Sequence, residues 1–269
     1  VKHGCAADQQ RACWKFYTRL CWFATVTRLQ ARPRARPRAQ ADPLATSYAG
    51  PRAPLVPRAG RKKFGSTTRS RSKDMGSTLA LFWGLAGVDK EARIDASDAL
   101  VQALLAHHDD SAEAPLPEEY AVADPCAVSD QEASAAEQRI DQYNSSEVGY
   151  ALRRLVRGLA SPRENARSGF AVALAELLSH LQSVSAQDIL VLLLKHTAVH
   201  GSMNGQEVRD VQFARLFGIY ALVRSGLVYG AGSTLGTFER CFNVLLAIAA
   251  YKSWLSESCG FALVQLLEP

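Results

Sequence analysis

The sequence lacks the features that would place it among membrane or β-sheet proteins. Its longest apolar stretches, 189–194 and 242–251, fall well short of the roughly 20 residues that a bilayer-spanning helix needs. We therefore expect no membrane partner. No segment alternates apolar and polar residues over the length of a strand, and the Asn-Gly pair at 204–205 precedes a helical pattern instead of joining two β-branched runs. The fold class predicted is all-α.

Cysteine is also sparse, with six residues spread between positions 5 and 259. A zinc site usually requires close pairs such as Cys-x2-Cys, and the spacing here offers none. Cys241 and Cys259 fall among apolar helical residues, where a cysteine is typically a small core residue. His196 and His200 have the spacing of a zinc pair on a helix but lack a glutamate between them and a third ligand. The sequence therefore predicts no metal and no other cofactor.

Charge is distributed unevenly along the chain. Seventeen of the 31 lysines and arginines precede Met75, together with only three of the 26 acidic residues. The stretch ARPRARPRA at 31–39 is typical of a segment that cannot bury enough apolar surface to offset chain entropy. We predict that 1–74 is a disordered basic segment. Two origins stay open: a genuine basic tail, or upstream sequence translated ahead of a start at Met75.

Residues 75–269 carry the three-four apolar spacing of successive amphipathic helices. Predicted N-caps are Asp89, Ser145 or Ser146, Ser161 and Ser185. Helix pairs that repeat about every 40 residues are typical of helical-repeat proteins, so we predict a HEAT/armadillo-like α-solenoid of antiparallel helix pairs. The acidic, proline-bearing stretch at 108–144 is interpreted as an exposed, partly disordered insert with one helix over 129–143. The apolar last helix suggests that the array continues past 269.

Five arginines surround one predicted turn between two helices. Three lie on the helix over 145–160, away from its apolar stripe, and two begin the next helix. A guanidinium group binds phosphate through bidentate, charge-assisted hydrogen bonds, so these side chains are candidates for nucleic-acid binding. The alternative is that nearby glutamates pair with some of them and the rest are solvated. The candidate residues are Arg153, Arg154, Arg157, Arg163 and Arg167.

No catalytic residue is predicted. A template-directed polymerase needs carboxylates that hold two metal ions, commonly on strands, whereas Asp188, Asp210 and Glu239 are isolated acids on predicted helices. The stretch GAGSTLG at 230–236 lacks the Gly-Lys-Ser/Thr ending of a phosphate loop and is interpreted as a turn between helices.

Four blocks of the sequence, in order, resemble the N-terminal region of the DNA polymerase V family. This family is also called DNA polymerase phi and is related to Myb-binding protein 1A. The four blocks are LALFWGLAGVDKEARIDASDALVQALL, YALRRLVRGLASPRENARSGFAVALAELLS, VRDVQFARLFGIYALVRSG and KSWLSESCGFALVQLLE. The resemblance covers about residues 79–269. It implies a helical-repeat protein of the nucleus and nucleolus that binds DNA and acts in ribosomal DNA transcription regulation, rRNA processing and ribosome biogenesis.

The partners implied by this resemblance are ribosomal DNA chromatin or pre-ribosomal RNA and protein particles, together with other nucleolar proteins. The family name also implies an alternative, a DNA-directed DNA polymerase. No catalytic residue of the family maps onto this region, so the residues favour a scaffold over an enzyme.

Overall fold

A computed structural model describes residues 78–106, 108 and 124–268 of the 269-residue chain. Within these ranges the chain forms helices and connections but no β-strand, which confirms the all-α prediction. The predicted disordered segment 1–74 lies outside the described residues, as does the part of the acidic insert at 109–123. None of the described helices combines the length and apolar character required to cross a bilayer. The helices are α1 (78–85), α2 (Lys90–Leu105), α3 (Asp130–Tyr143), α4 (Ser146–Gly158), α5 (Glu164–His180), α6 (Ala186–His196), α7 (Gly205–Ser225), α8 (Leu235–Tyr251) and α9 (Ser253–Leu267).

Most of the helices pack in two layers. One layer contains α2, α5, α7 and α9, and the other contains α4, α6 and α8. Helices of one layer run in the same direction: Arg167 near the start of α5 pairs with Asp210 near the start of α7. Because consecutive helices alternate between the layers, α4–α5, α6–α7 and α8–α9 are antiparallel pairs. This arrangement confirms the predicted α-solenoid.

Side-chain caps fix where several helices begin. The Asp89 carboxylate accepts a hydrogen bond from the Ala92 N–H at 2.8 Å, and the Ser185 hydroxyl accepts one from the Asp188 N–H at 3.0 Å. Both caps were predicted, because an acceptor side chain ahead of an apolar run satisfies N–H groups that the first helical turn leaves free. Ser145 caps α4 in the same way.

The predicted cap at Ser161 is wrong. Helix α5 begins at Glu164, and its N-cap residue Arg163 makes no side-chain capping hydrogen bond. The Ser161 hydroxyl instead accepts from the Arg163 N–H at 3.3 Å, which is a serine turn closed two residues along the chain. This local turn uses the hydroxyl group that a helix cap would need, and the helix starts two residues later than a cap at Ser161 would place it.

The core lies between the two layers and allows close approach at two glycines. A Cβ atom on Gly218 of α7 would lie 2.4 Å from a methyl group of Leu193 in α6, and one on Gly169 of α5 would lie 2.0 Å from the Leu85 carbonyl oxygen. Cys241 and Cys259 are buried in this core, as predicted, and burial raises the pKa of each thiol to about 12.

Residues 124–144, named here the strap, run across the outside of the α4–α6–α8 layer. Its helix α3 confirms the helix predicted over 129–143, but the prediction of an exposed insert is wrong for the strap. Ala133, Ala136 and Ile140 are buried, at 5%, 0% and 1% exposure. Their spacing places them along one side of α3, so a narrow apolar stripe packs on the layer although the segment as a whole is acidic.

Candidate nucleic-acid interface

Helix α4 and the start of α5 bring the five candidate arginines to one turn of the solenoid. The apolar residues of α4 face the core, and Leu152, Leu155 and Val156 are fully buried. Because these residues form one stripe of the helix, Arg153, Arg154 and Arg157 lie on its other faces. The surroundings of the five side chains differ, however, and separate them into two groups. Three of the arginines have partners within the protein, and two have none among the described residues.

Arg167 is part of the protein interior. Its guanidinium group donates to the Ser161 carbonyl oxygen at 2.7 Å and to the Asp210 carboxylate at 3.3 Å, and it lies over the Phe213 ring at 4.8 Å. The whole residue is 6% exposed. Burial lowers the pKa of Arg167 below its usual value, and the nearby Asp210 carboxylate opposes that shift. Arg167 therefore holds α5 to α7.

Arg153 and Arg154 make contacts on the surface of the fold. Arg153 forms an ion pair of 2.6 Å with Asp141 of the strap. Arg154 donates to the Tyr150 hydroxyl at 2.8 Å and lies over the Phe82 ring of α1 at 4.8 Å, which is a cation–π geometry. Arg153 therefore links α4 to the strap, and Arg154 links α4 to α1.

Arg157 and Arg163 form the other group. Both residues are exposed. Their guanidinium groups make no hydrogen bond and no ion pair with any residue in the described part of the chain. Each therefore keeps its full set of donors available, and two such donors at one turn suit the oxygen atoms of a phosphate backbone.

The end of α6 adds positive charge beside Arg157. The pKa of His196 is lowered first by burial, then by the charges of Arg157 and Lys195, and less by Arg153, whereas Glu137 raises it. The Nε2 atom of His196 is buried and has no hydrogen-bond partner among the described residues. We name Arg157, Arg163 and Lys195 the basic edge. His196 lies beside it and, because its pKa is lowered, adds no positive charge at neutral pH.

Sequence reasoning missed the part of the basic edge that α6 contributes. The sequence around Arg157 says nothing of Lys195, because α4 and α6 are neighbours only through the layer that they share. Helical periodicity shows which side of a helix is polar, but it does not show which helix lies beside it.

Two of the three isolated acids take part in structural ion pairs, whereas Glu239 is exposed on α8. Asp188 accepts from Arg139 of the strap at 2.6 Å, and Asp210 pairs with Arg167. Across 78–106, 108 and 124–268, no three His, Cys, Asp or Glu side chains are grouped so that they could hold a metal ion. The stretch 230–234 connects two helices, and Thr234 caps α8, which confirms the interpretation of GAGSTLG as a turn.

Comparison with known proteins places this solenoid among its relatives. Residues 150–269 match the family model described as DNA polymerase phi. The rDNA transcriptional regulator pol5 of Schizosaccharomyces pombe is 42% identical over 136 residues, which cover 50% of this chain and 14% of that protein. Human Myb-binding protein 1A is 33% identical over 138 residues, which cover 49% of this chain and 10% of that protein.

The match to rat Myb-binding protein 1A is longer, at 28% identity over 189 residues, or 70% of this chain and 11% of that protein. The chain thus spans only a small part of the length of these relatives. No solved structure matches it. Residues 150–269 are therefore similar to the DNA polymerase phi family, and the relatives named rDNA transcriptional regulator pol5 and Myb-binding protein 1A support this assignment.

Proposed function

We propose that the chain is a helical-repeat scaffold that binds the phosphate backbone of nucleic acid through Arg157 and Arg163. The observation that carries this proposal is the pair of exposed guanidinium groups without an intramolecular partner among the described residues. They lie at the edge of a solenoid, an architecture that offers extended surfaces for binding. Lys195 lies beside Arg157, but Glu137 pairs with it at 2.8 Å, so the local positive potential comes chiefly from the two arginines.

The biological setting that we propose is regulation of ribosomal DNA transcription in the nucleus. The names of its relatives support this setting, since the yeast relatives are rDNA transcriptional regulators and the animal relatives are Myb-binding proteins. We extend the proposal to the nucleolus, to rRNA processing and to ribosome biogenesis, with ribosomal DNA chromatin or pre-ribosomal particles as the partners. This extension rests on the family resemblance.

The salt dependence of binding tests the phosphate contacts. Fluorescence anisotropy would measure the affinity of the full chain for labelled duplex DNA and for single-stranded RNA at several salt concentrations. Each phosphate contact contributes about 0.9 to the slope of log K against log salt for duplex DNA. We expect the double substitution Arg157→Ala and Arg163→Ala to reduce that slope by about 1.8.

A matched control removes one positive charge elsewhere. Arg224 lies in the last turn of α7, a helix about 30 Å long whose first residues lie near the start of α5. Arg224→Ala should leave the slope unchanged, and Arg157→Ala alone should lower it. The basic residues in 1–74 add an equal contribution to every variant, so equal slopes for wild type and the double variant would refute the proposal.

A further inference from the structure

The strap pairs one carboxylate with one cation from each helix of the layer that it crosses. The three helices are consecutive members of that layer, and each contributes a basic side chain to the same side of it. We name these three side chains the cation track. The pairs are Glu132 with Arg240 of α8, Glu137 with Lys195 of α6 at 2.8 Å, and Asp141 with Arg153 of α4 at 2.6 Å.

The dimensions of the strap match those of the layer. Helix α3 has 14 residues and is therefore about 21 Å long. Three neighbouring helices with axes 8–10 Å apart span roughly 20 Å from the first axis to the third. The three acids, from Glu132 to Asp141, extend over about 14 Å of α3, which is within the width of the three helices. One strand of B-form nucleic acid presents about six phosphates over that width.

We propose that the α4 and α6 end of the cation track is a second phosphate-binding surface and that Asp141 and Glu137 of the strap occupy it in place of phosphate. This inference rests on the proposed function and deepens it. Phosphates bound at Arg157 reach Arg153, one turn back on α4, and Lys195, on the adjacent helix α6. There they displace Asp141 and Glu137, so that the nucleic acid and the strap compete for the same two cations.

Exposure of the ion pairs determines where this exchange occurs. Asp141 is 58% exposed and Glu137 is 31% exposed, whereas Glu132 is only 2% exposed. Arg240 also donates to the carbonyl oxygens of Pro125 and Ala127, which fixes the start of the strap. Exchange therefore takes place at the α4 and α6 end of the track, while Arg240 of α8 stays bound to the strap.

The strap remains docked during the exchange. Arg139 lies on α3 between the two displaced acids in sequence, and its ion pair with the buried Asp188 carboxylate does not involve the cation track. Burial of Ala136 and Ile140 is likewise independent of Glu137 and Asp141. Only two partly exposed carboxylates need to move, and such pairs contribute little to stability.

Removing the competing carboxylates tests the inference. In the full chain, the double substitution Glu137→Gln and Asp141→Asn should increase the affinity for duplex DNA or single-stranded RNA by roughly two- to thirtyfold, the range that two partly exposed ion pairs allow. The matched control is Glu91→Gln with Asp95→Asn, an equal change of charge on exposed positions of α2 in the other layer. It should change affinity less than about twofold at physiological salt, where screening acts beyond about 8 Å.

Adding Arg153→Ala and Lys195→Ala to the strap variant should abolish the gain, because the released cations are then absent. Hydrogen exchange should show that the α3 amides keep their protection in the strap variant. Free exchange over α3 would mean that the strap had detached, and it would overturn the exchange mechanism. Polyglutamate serves as a further probe, and binding of polyglutamate without binding of either nucleic acid would also overturn the inference.

The remaining outcomes separate this inference from the proposed function. If wild type binds nucleic acid through Arg157 and the strap variant behaves like the α2 control, the inference fails and the proposed function stands. If neither wild type nor the strap variant binds, both fail. Binding by the strap variant alone would support the inference, since it would show that the strap covers the surface.

Discussion

Substitution of Arg167 by alanine should destabilise the fold without acting on a ligand. The sequence groups Arg167 with the nucleic-acid candidates, but its guanidinium group is enclosed by Ser161, Asp210 and Phe213. Truncation would leave the Asp210 side chain, which is 9% exposed, without its main cation. The stability of the contact between α5 and α7 should therefore depend on this residue.

The magnitude follows from the contacts that are lost and those that remain. Breaking a buried ion pair by removing one partner typically costs about 3–5 kcal/mol. The Asp210 carboxylate would keep Gln206 Nε2 at 3.3 Å and Arg209 at 3.6 Å, which reduces the cost. Loss of the cation–π contact with Phe213 adds about 0.5–2 kcal/mol. We expect the free energy of unfolding to fall by about 3 kcal/mol.

Urea denaturation of the full chain, followed by the circular dichroism of its helices, would measure this loss. Arg157→Ala is the matched control and should leave the denaturation midpoint unchanged, because that side chain is exposed. Replacing both partners, Arg167→Met with Asp210→Leu, should recover most of the stability, since no unpaired charge is then buried. A wild-type midpoint for Arg167→Ala, together with weakened nucleic-acid binding, would refute the reasoning.

Three further predictions concern packing, protonation and thiol reactivity. Gly218→Ala should destabilise the fold by about 1–3 kcal/mol, because the new methyl group would clash with Leu193. Gly260→Ala has open space around it and should stabilise the fold by about 0.5–1 kcal/mol. Urea denaturation would measure both changes. The pKa of His196 is lowered in the folded chain, so the unfolded chain binds the proton first as the pH falls below 6.5. The free energy of unfolding should therefore decrease below that pH, and it should decrease less in the variant His196→Asn. A denaturation series between about pH 7 and about pH 5.5 would show the difference between the two proteins. In the folded chain iodoacetamide should spare Cys241, whose pKa is about 12, until urea unfolds the protein, as peptide mapping by mass spectrometry would detect.

Local signals in the sequence were sufficient to predict much of the helical architecture. The caps at Asp89 and Ser185 depend on a side chain and an N–H group three residues apart, so both lie within one stretch of sequence. The apolar stripe of α4 is equally local. Alternation of such helices with short connections then favours antiparallel pairs, which the two layers confirm.

The candidate site was harder to predict because its residues are distinguished by distant partners. Arg167 is 43 residues from Asp210, and Arg139 is 49 residues from Asp188. Helical spacing alone does not distinguish Arg157 from Arg167, because both are charged residues near the same turn. Only the packing of α5 against α7 buries one of them and leaves the other exposed.

The strap shows a second limit of sequence reasoning. Averaged over 108–144, acidic residues and prolines indicate an exposed insert. The residues that dock α3 are few and small, chiefly two alanines and Ile140, and its acids are paired by cations from three other helices. Neither the weak apolar stripe nor the complementary charges can be interpreted until the layer beneath α3 is known.

Ultraviolet crosslinking of the full chain to nucleic acid, with the linked peptides identified by mass spectrometry, tests the central claim most directly. We predict crosslinks at peptides containing Arg157, Arg163 and Lys195, with weaker links along α3. Crosslinks confined to α2, α7 and α9, or to residues before 78, would contradict the claim that this edge of the solenoid binds the phosphate backbone.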